Sequence, residues 1–501
     1  MDIFNNFAVG MHNILVPYNF IMILVGLMVG VIVGALPGIA MINAMVLALP
    51  FTYSMEPVAA ILLLISIYCG GMFGGAITAI LINIPGSPGN APTAIEGFAL
   101  TKKGKTAQAI GTAIICSGIG GFISALVMTF VSPTLADFAM RFTSVEKFAI
   151  VFLGLTCLAG MGAESISSSL ISVFAGIFLG TIGVAPLYFS YRFTFGFNLF
   201  SAGVSFIIAL IGLFAVSEIL HQAVFRIRYR ELSKKSAGVK LPGLREIWRL
   251  RGTVTRATII GTGIGVIPGE GGAVAAFLSY GIERQISNKG EDFGTGVIQG
   301  LAAPETANNA STGGAMIPLL TLGIPGSGAA AVILGAFLLH GLQPGPLLFI
   351  NQLDLVYTIF IGMLLVNILM IFSGTITTKI FLQAMRIPEG VMGSFIMVLC
   401  FIGAYGLRNN IGDVWLMMCF GLLGFFMRRY RFPIIPMVMG IILGPLAETY
   451  FLTSMIKYDN DISVFFTRPI SLCIICFAVL LLFLPYLAKK IGKRVVSPEN
   501  K

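Results

Sequence analysis

The residues best suited to chemistry in this chain gather around two Pro-Gly-Ser sequences. The first reads Asn83-Ile84-Pro85-Gly86-Ser87-Pro88-Gly89-Asn90-Ala91-Pro92-Thr93. Three prolines within eight residues cannot continue a regular helix, because each lacks an N–H and clashes with the preceding turn. The glycines Gly86 and Gly89 let a solute approach the backbone, while Ser87, Asn90 and Thr93 offer neutral hydrogen-bonding groups. The second reads Leu322-Gly323-Ile324-Pro325-Gly326-Ser327-Gly328. A helix interrupted inside a membrane exposes N–H groups at one end of the break and C=O groups at the other, so half-helix N-termini attract anions and unwound carbonyls hold cations. The residues expected to line a small-anion site are therefore Asn83, Pro85, Gly86, Ser87, Gly89, Asn90, Thr93, Ile324, Pro325, Gly326 and Ser327. Gly38 and Gly269, from the Pro37-Gly38 and Pro268-Gly269 breaks, join them. The structural alternative for each motif is a tight kink between packed helices.

Ahead of the second motif, Pro304-Glu305-Thr306-Ala307-Asn308-Asn309-Ala310-Ser311-Thr312 is a dense polar run entering an apolar one. Asn308, Asn309 and Thr312, with Asn43 in the first half, can supply neutral oxygens to a coupling ion, Na+ or H+. A solvated, capped helix start is the plainer reading. Glu270, at a hairpin tip, is the ionisable residue that points to a cation or proton partner, although it could equally bond the tip's own backbone. Its counterpart in the first half is Ile39. Glu96 reads as an ordinary interface residue beside Lys102 and Lys103, and His12, His221 and His340 sit near span ends, where interfacial packing is the plainer reading. The seven cysteines lie almost all in apolar runs and show no metal-ligand spacing with histidine. Neither a cofactor nor a structural metal is expected, and without G-x-x-x-x-G-K-[ST] no direct use of ATP.

These groups must be positioned in a membrane. Of 501 residues, 57% are hydrophobic and 10% charged, against about 25% charged in soluble domains. The formal charge of +10 lies in short loops and a linker, as orientation signals do, and nucleic acid is set aside as a partner. The N-terminus lacks the basic region of a cleavable signal peptide. Plain spans are expected near 107–131, 148–164, 168–185, 200–220, 355–378, 391–407, 412–427, 433–450 and 468–488. Stretches 18–51, 58–100, 257–281 and 295–340 read as broken spans.

The halves repeat across a basic linker, 222–256. Gly34-Ala-Leu-Pro37-Gly38 matches Gly265-Val-Ile-Pro268-Gly269, and Gly74-Gly75-Ala76 with Ile84-Pro85-Gly86-Ser87 matches Gly313-Gly314-Ala315 with Ile324-Pro325-Gly326-Ser327. Lys102-Lys103-Gly104-Lys105 follows the first motif, whereas His340-Gly-Leu-Gln-Pro-Gly follows the second without a Lys or Arg. By the positive-inside rule these loops fall on opposite sides. The expectation is an all-α polytopic membrane protein of about 11–12 spans, built from two inverted repeats with re-entrant hairpins and broken helices. Residues 1–221 form the first repeat, 222–256 the cytoplasmic linker, 257–455 the second repeat, and 456–501 an extra span with a basic cytoplasmic tail.

Gly34-Ala-Leu-Pro-Gly-Ile, the block from Tyr68 through Ala91, Gly300-Leu-Ala-Ala-Pro-Glu-Thr-Ala-Asn-Asn-Ala and Gly323-Ile-Pro-Gly-Ser resemble the large membrane subunit of the tripartite tricarboxylate transporters over about residues 15–450. The resemblance implies a bacterial inner-membrane importer that works with a small transmembrane subunit and a periplasmic solute-binding protein. It also implies uptake of citrate-like di- and tricarboxylates or other organic acids, driven by a sodium or proton gradient. An elevator-like motion of the broken-helix elements is the expected transport step. Two rivals are a stand-alone carrier without a receptor and a membrane-embedded hydrolase using Glu270 or Glu305; the latter lacks a convincing acid–base pair.

Overall fold

A computed structural model describes residues 3–36, 40–161, 166–225, 238–269, 271–287, 290–384 and 389–481. The first half runs α1 (Ile3–Leu15), α2 (Pro17–Ala35), α3 (Met41–Thr52), α4 (Pro57–Ile82), a 3-10 turn (Pro88–Asn90), α5 (Ala91–Lys102), α6 (Thr106–Ala139), α7 (Ser144–Met161) and α8 (Ile166–Gly180). A small antiparallel hairpin follows, β1 (Gly183–Val184) with β2 (Tyr191–Arg192). Then come α9 (Asn198–Ser201), α10 (Phe206–Leu210), a π-helical segment (Ile211–Val216) and α11 (Ser217–Phe225). The second half runs α12 (Leu244–Arg249), α13 (Arg251–Val266), α14 (Gly271–Ile286), α15 (Ile298–Leu322), α16 (Gly328–Leu339) and α17 (Leu348–Asn351). It ends with α18 (Leu353–Ala384), α19 (Glu389–Arg408), α20 (Ile411–Arg429), α21 (Ile434–Lys457) and α22 (Val464–Thr467). Seven helical stretches of the described residues are long and apolar enough to cross a bilayer, and shorter apolar helices accompany them, Pro469–Leu481 last. The chain is an all-α polytopic membrane protein.

The breaks form where the sequence removes helix-compatible residues. Asn83 ends α4 and Gly323 ends α15, both in the left-handed region with φ of 60° and 72°. The left-handed residue closes the C-terminal carbonyls, and the following Pro85 and Pro325 prevent the helix from resuming. Hairpins α2–α3 and α13–α14 pack against these interrupted helices through glycine. A Cβ at Gly34 would lie 2.4 Å from Gly71 O, and one at Gly265 would lie 2.5 Å from Ser311 O. At these two positions the backbones touch, and only glycine fits.

The feet of α13–α14 meet. Arg256 grips the buried Glu283 through its Nη2 at 2.8 Å, and Thr253 Oγ1 donates to Glu283 at 2.7 Å. The hairpin therefore returns to the end from which it started. The loop after α5 and the described end of the linker share that end, since Lys103, Lys105 and Arg249 line one cavity of about 580 Å³.

The halves also correspond in contact. Gly86 rests on Gly34 O and Gly75 Cα, as Gly326 rests on Gly265 O and Ala315 Cα. This register sets Gly75 against Ala315, one residue from the Gly75–Gly314 match of the sequence. The backbone around each break, rather than the Gly-Gly pair, fixes the alignment. Helices α6 and α18 hold equivalent places and run antiparallel: Ile114 lies by Gly374, Gly118 by Ile371, and Gly121 by Asn367. As residue numbers rise on one helix, they fall on its partner.

Gly34→Val should cost about 1–3 kcal/mol or more through overpacking, whereas Gly263→Ala, with nothing within 4 Å of its Cβ, should be neutral. Thermal unfolding of purified protein in detergent checks this; equal melting of the two variants would contradict the close approach of α2 and α4.

Candidate functional site

The two motifs sit at the seam between the halves. After Asn83, the chain turns through Pro85 and Gly86, whose N–H donates to Gly75 O at 3.2 Å. Ser87 Oγ then donates to Asn90 Oδ1 at 2.7 Å, and Asn90 occupies the N-cap position of α5. Asn90 is fully buried. Its Nδ2 donates to Met72 O and to Glu305 Oε1, each at 3.2 Å. Thr93 Oγ1 donates to the same Glu305 oxygen at 2.5 Å, and Ser117 Oγ of α6 donates to Glu305 Oε2 at 3.0 Å. The polar groups of the first motif thus converge on a carboxylate from the other half.

The second motif is built alike with different chemistry. Gly269 N–H donates to Gly326 O at 3.1 Å, joining hairpin tip to break. Ile324, Pro325 and Gly326 are buried. Ser327 caps α16, its Oγ accepting from Ala330 N–H at 3.2 Å. Across the seam Tyr68 of α4 shares a hydrogen bond with Ser327 Oγ at 3.1 Å. The register places Tyr68 opposite Asn308 and Ile65 opposite Glu305. One half-site therefore carries a carboxylate where the other carries an isoleucine.

The expected cation-coupling residues line α15. Glu305, Asn308, Asn309 and Thr312 stand at i, i+3, i+4 and i+7, one face of a helix. Asn308 Nδ2 donates to Met72 O at 3.3 Å, and Asn309 Nδ2 to Glu305 O at 3.5 Å. Their Oδ1 atoms, like that of the buried Asn43, have no donor among the described residues. Thr312 Oγ1 donates to Asn309 O at 2.7 Å. Asn308 Oδ1 lies against Gly89 and Gly272, where added Cβ atoms would fall 2.3 and 2.9 Å away. Gly89 is buried under it, whereas Asn83 is exposed and serves its helix end. Gly38 and Glu270 lie outside the described residues.

Sequence reasoning missed the centre. It weighed Glu305 only as an enzymatic acid, and Tyr68, Ser117 and the Met72 carbonyl not at all. The available signal was the helical spacing of Glu305 with Asn308, Asn309 and Thr312. Glu96 is likewise more than an interface residue. Fully buried, it accepts from Tyr280 Oη at 3.0 Å, from Gly296 N–H at 2.7 Å, from Val297 N–H at 2.8 Å and from Gly294 N–H at 2.5 Å. It fixes the end of α5 to the entry of α15.

The chain matches the model of the tripartite tricarboxylate transporter TctA family over residues 20–439. It belongs to this family. The TctA-family chain is also 35% identical, over the whole of both chains, to an Agrobacterium vitis protein described as an uncharacterized 52.8 kDa protein in the TAR-I ttuC′ 3′ region. A second Agrobacterium vitis protein, described by the TAR-II ttuC′ 3′ region, is 36% identical over 46% of this chain and 96% of its own length. No solved structure matches. Membership of a transporter family points away from an enzyme, and makes the seam of the TctA-family chain the place to look for a solute.

Glu96→Ala would strand three backbone donors, of which the buried Val297 N–H should cost about 1–3 kcal/mol and the more exposed Gly294 and Gly296 N–H groups less. Amide hydrogen exchange at Gly294, Gly296 and Val297 should accelerate at least tenfold; unchanged protection would remove Glu96 as the tie.

Proposed function

We propose that this chain is the translocating membrane subunit of a binding-protein-dependent secondary transporter that imports small organic carboxylates, citrate-like di- and tricarboxylates among them. A small transmembrane subunit and a periplasmic solute-binding protein are its partners, and a Na+ or H+ gradient supplies the driving force. It works in the bacterial inner membrane as a multi-pass protein, with the basic linker and the C-terminus in the cytoplasm. The two halves are inverted repeats. The antiparallel pairing of α6 with α18 supports this, because an in-plane two-fold axis reverses every helix it relates.

The observation that carries the reading is the pair of interrupted helices, each with a neutral polar residue, Asn90 or Ser327, at the N-cap position of the helix that follows the break, and each faced across the seam by the other half. Neutral donors and helix N-termini bind carboxylate without the grip of a fixed Arg or Lys, which suits a carrier that must release its cargo. The exchange between outward and inward states moves the broken-helix elements against the plain spans. The glycine contacts of α2 with α4 and of α13 with α15 favour motion of each hairpin together with its interrupted helix.

Proteoliposomes containing this chain and the small subunit should take up labelled citrate or another organic acid only when the cognate receptor is present outside. Uptake by this chain alone would sink the tripartite reading. Ser327→Leu should abolish uptake with membrane insertion intact, and wild-type uptake by that variant would take the second motif out of the solute path.

A further inference from the structure

We infer that Glu305 is the charged ligand of a sodium site buried at the seam, formed with Thr93, Ser117 and the α15 face that continues through Asn308 and Asn309. This deepens the transport reading above and rests on it for the role of the site, not for its chemistry.

Glu305 is fully buried, and no ion pair among the described residues includes it. Three neutral donors, Asn90 of the 3-10 turn, Thr93 of α5 and Ser117 of α6, offset only part of the desolvation of a carboxylate, so the group calls for a cation or a proton. Two observations favour the cation. The hydroxyls of Thr93 and Ser117, 2.5 and 3.0 Å from the carboxylate, rotate to turn lone pairs toward an ion while staying in place. One turn along the same face, Asn308 Oδ1 and Asn309 Oδ1 are buried acceptors without a donor. A proton on Glu305 leaves both unsatisfied, whereas a cation drawn to this face is served by their oxygen dipoles.

The ligand set decides the class of ion. One formal charge among neutral oxygens suits a monovalent hard cation, whereas Ca²⁺ and transition metals call for more carboxylates or for His and Cys. No group of three His, Cys, Asp or Glu able to hold a metal occurs among the described residues. The equivalent place in the other half, with Ile65 for Glu305 and Tyr68 for Asn308, has no charge. Among the described residues the fold therefore holds one such site, not two.

The test is thermal unfolding of the purified full chain in nanodiscs, with NaCl replaced stepwise by choline chloride or KCl at fixed pH and ionic strength. Sodium should raise the melting temperature saturably, and neither choline nor potassium should substitute. Glu305→Gln, close in shape, should melt cooperatively but lose the sodium response. Ser117→Ala should keep it with an apparent affinity about tenfold weaker, the loss of one charge-assisted contact. Equal stabilisation by potassium or choline, stabilisation by lowered pH alone, or a full sodium response in Glu305→Gln would overturn the assignment. Because no transport is measured, sodium binding without receptor-dependent uptake would sink the transport reading and leave the site standing.

Discussion

A helix interrupted inside hydrocarbon must pass its freed N–H and C=O groups to another part of the protein, because lipid offers them nothing. Most of this architecture follows from that constraint. Each break is covered within its own half: Gly86 N–H finds Gly75 O of α4 beneath the Gly34 carbonyl of α2, and Gly326 O receives Gly269 N–H. Such cover requires backbones in contact, and contact requires glycine on the facing helix surfaces. Part of the abundance of glycine in this helical membrane protein is thus a packing requirement set by the breaks, and close helix contacts elsewhere, such as Gly176 against Met437 O, use more of it.

Covering the breaks from within each half leaves their cap residues free to face the opposite half. Asn90 meets Glu305, and Ser327 meets Tyr68. The seam is therefore polar, and it is polar unequally. The backbone contacts around the two breaks match, while the side chains at corresponding places differ, Ile65 against Glu305 and Tyr68 against Asn308. The frame is a matter of backbone geometry, and the difference between the two halves of the seam is a matter of a few side chains.

That division explains what could be read from the sequence. Helices and breaks were legible, since Pro and Gly act locally and apolar runs are long. Register was misread by one residue because Gly-Gly pairs occur in both halves and mark close approach without fixing alignment. Lys103, Lys105 and Arg249 were legible as neighbours in sidedness before the structure placed them around one cavity. Glu305 and Glu96 were not legible as centres. Their meaning lies in donors some 200 residues distant in the chain, and nothing local distinguishes a carboxylate that gathers donors from one that faces water. Tyr68 was hidden similarly, as one aromatic residue in an apolar helix.

In the proposed carrier, a carboxylate in the seam would make anion binding depend on a cation. A solute carboxylate settling roughly 6 Å from an ionised Glu305 meets about 3 kcal/mol of repulsion per charge at an effective dielectric of about 20, enough to lower occupancy by about a hundredfold. A monovalent ion held on Glu305 removes most of that repulsion. In such a carrier the solute would enter after the ion and hold it in turn, since each would bind more tightly in the presence of the other. Coupling of this kind needs no direct bond between ion and solute. It needs one fixed negative charge, buried without a counter-ion of its own, within electrostatic reach of where the anion sits.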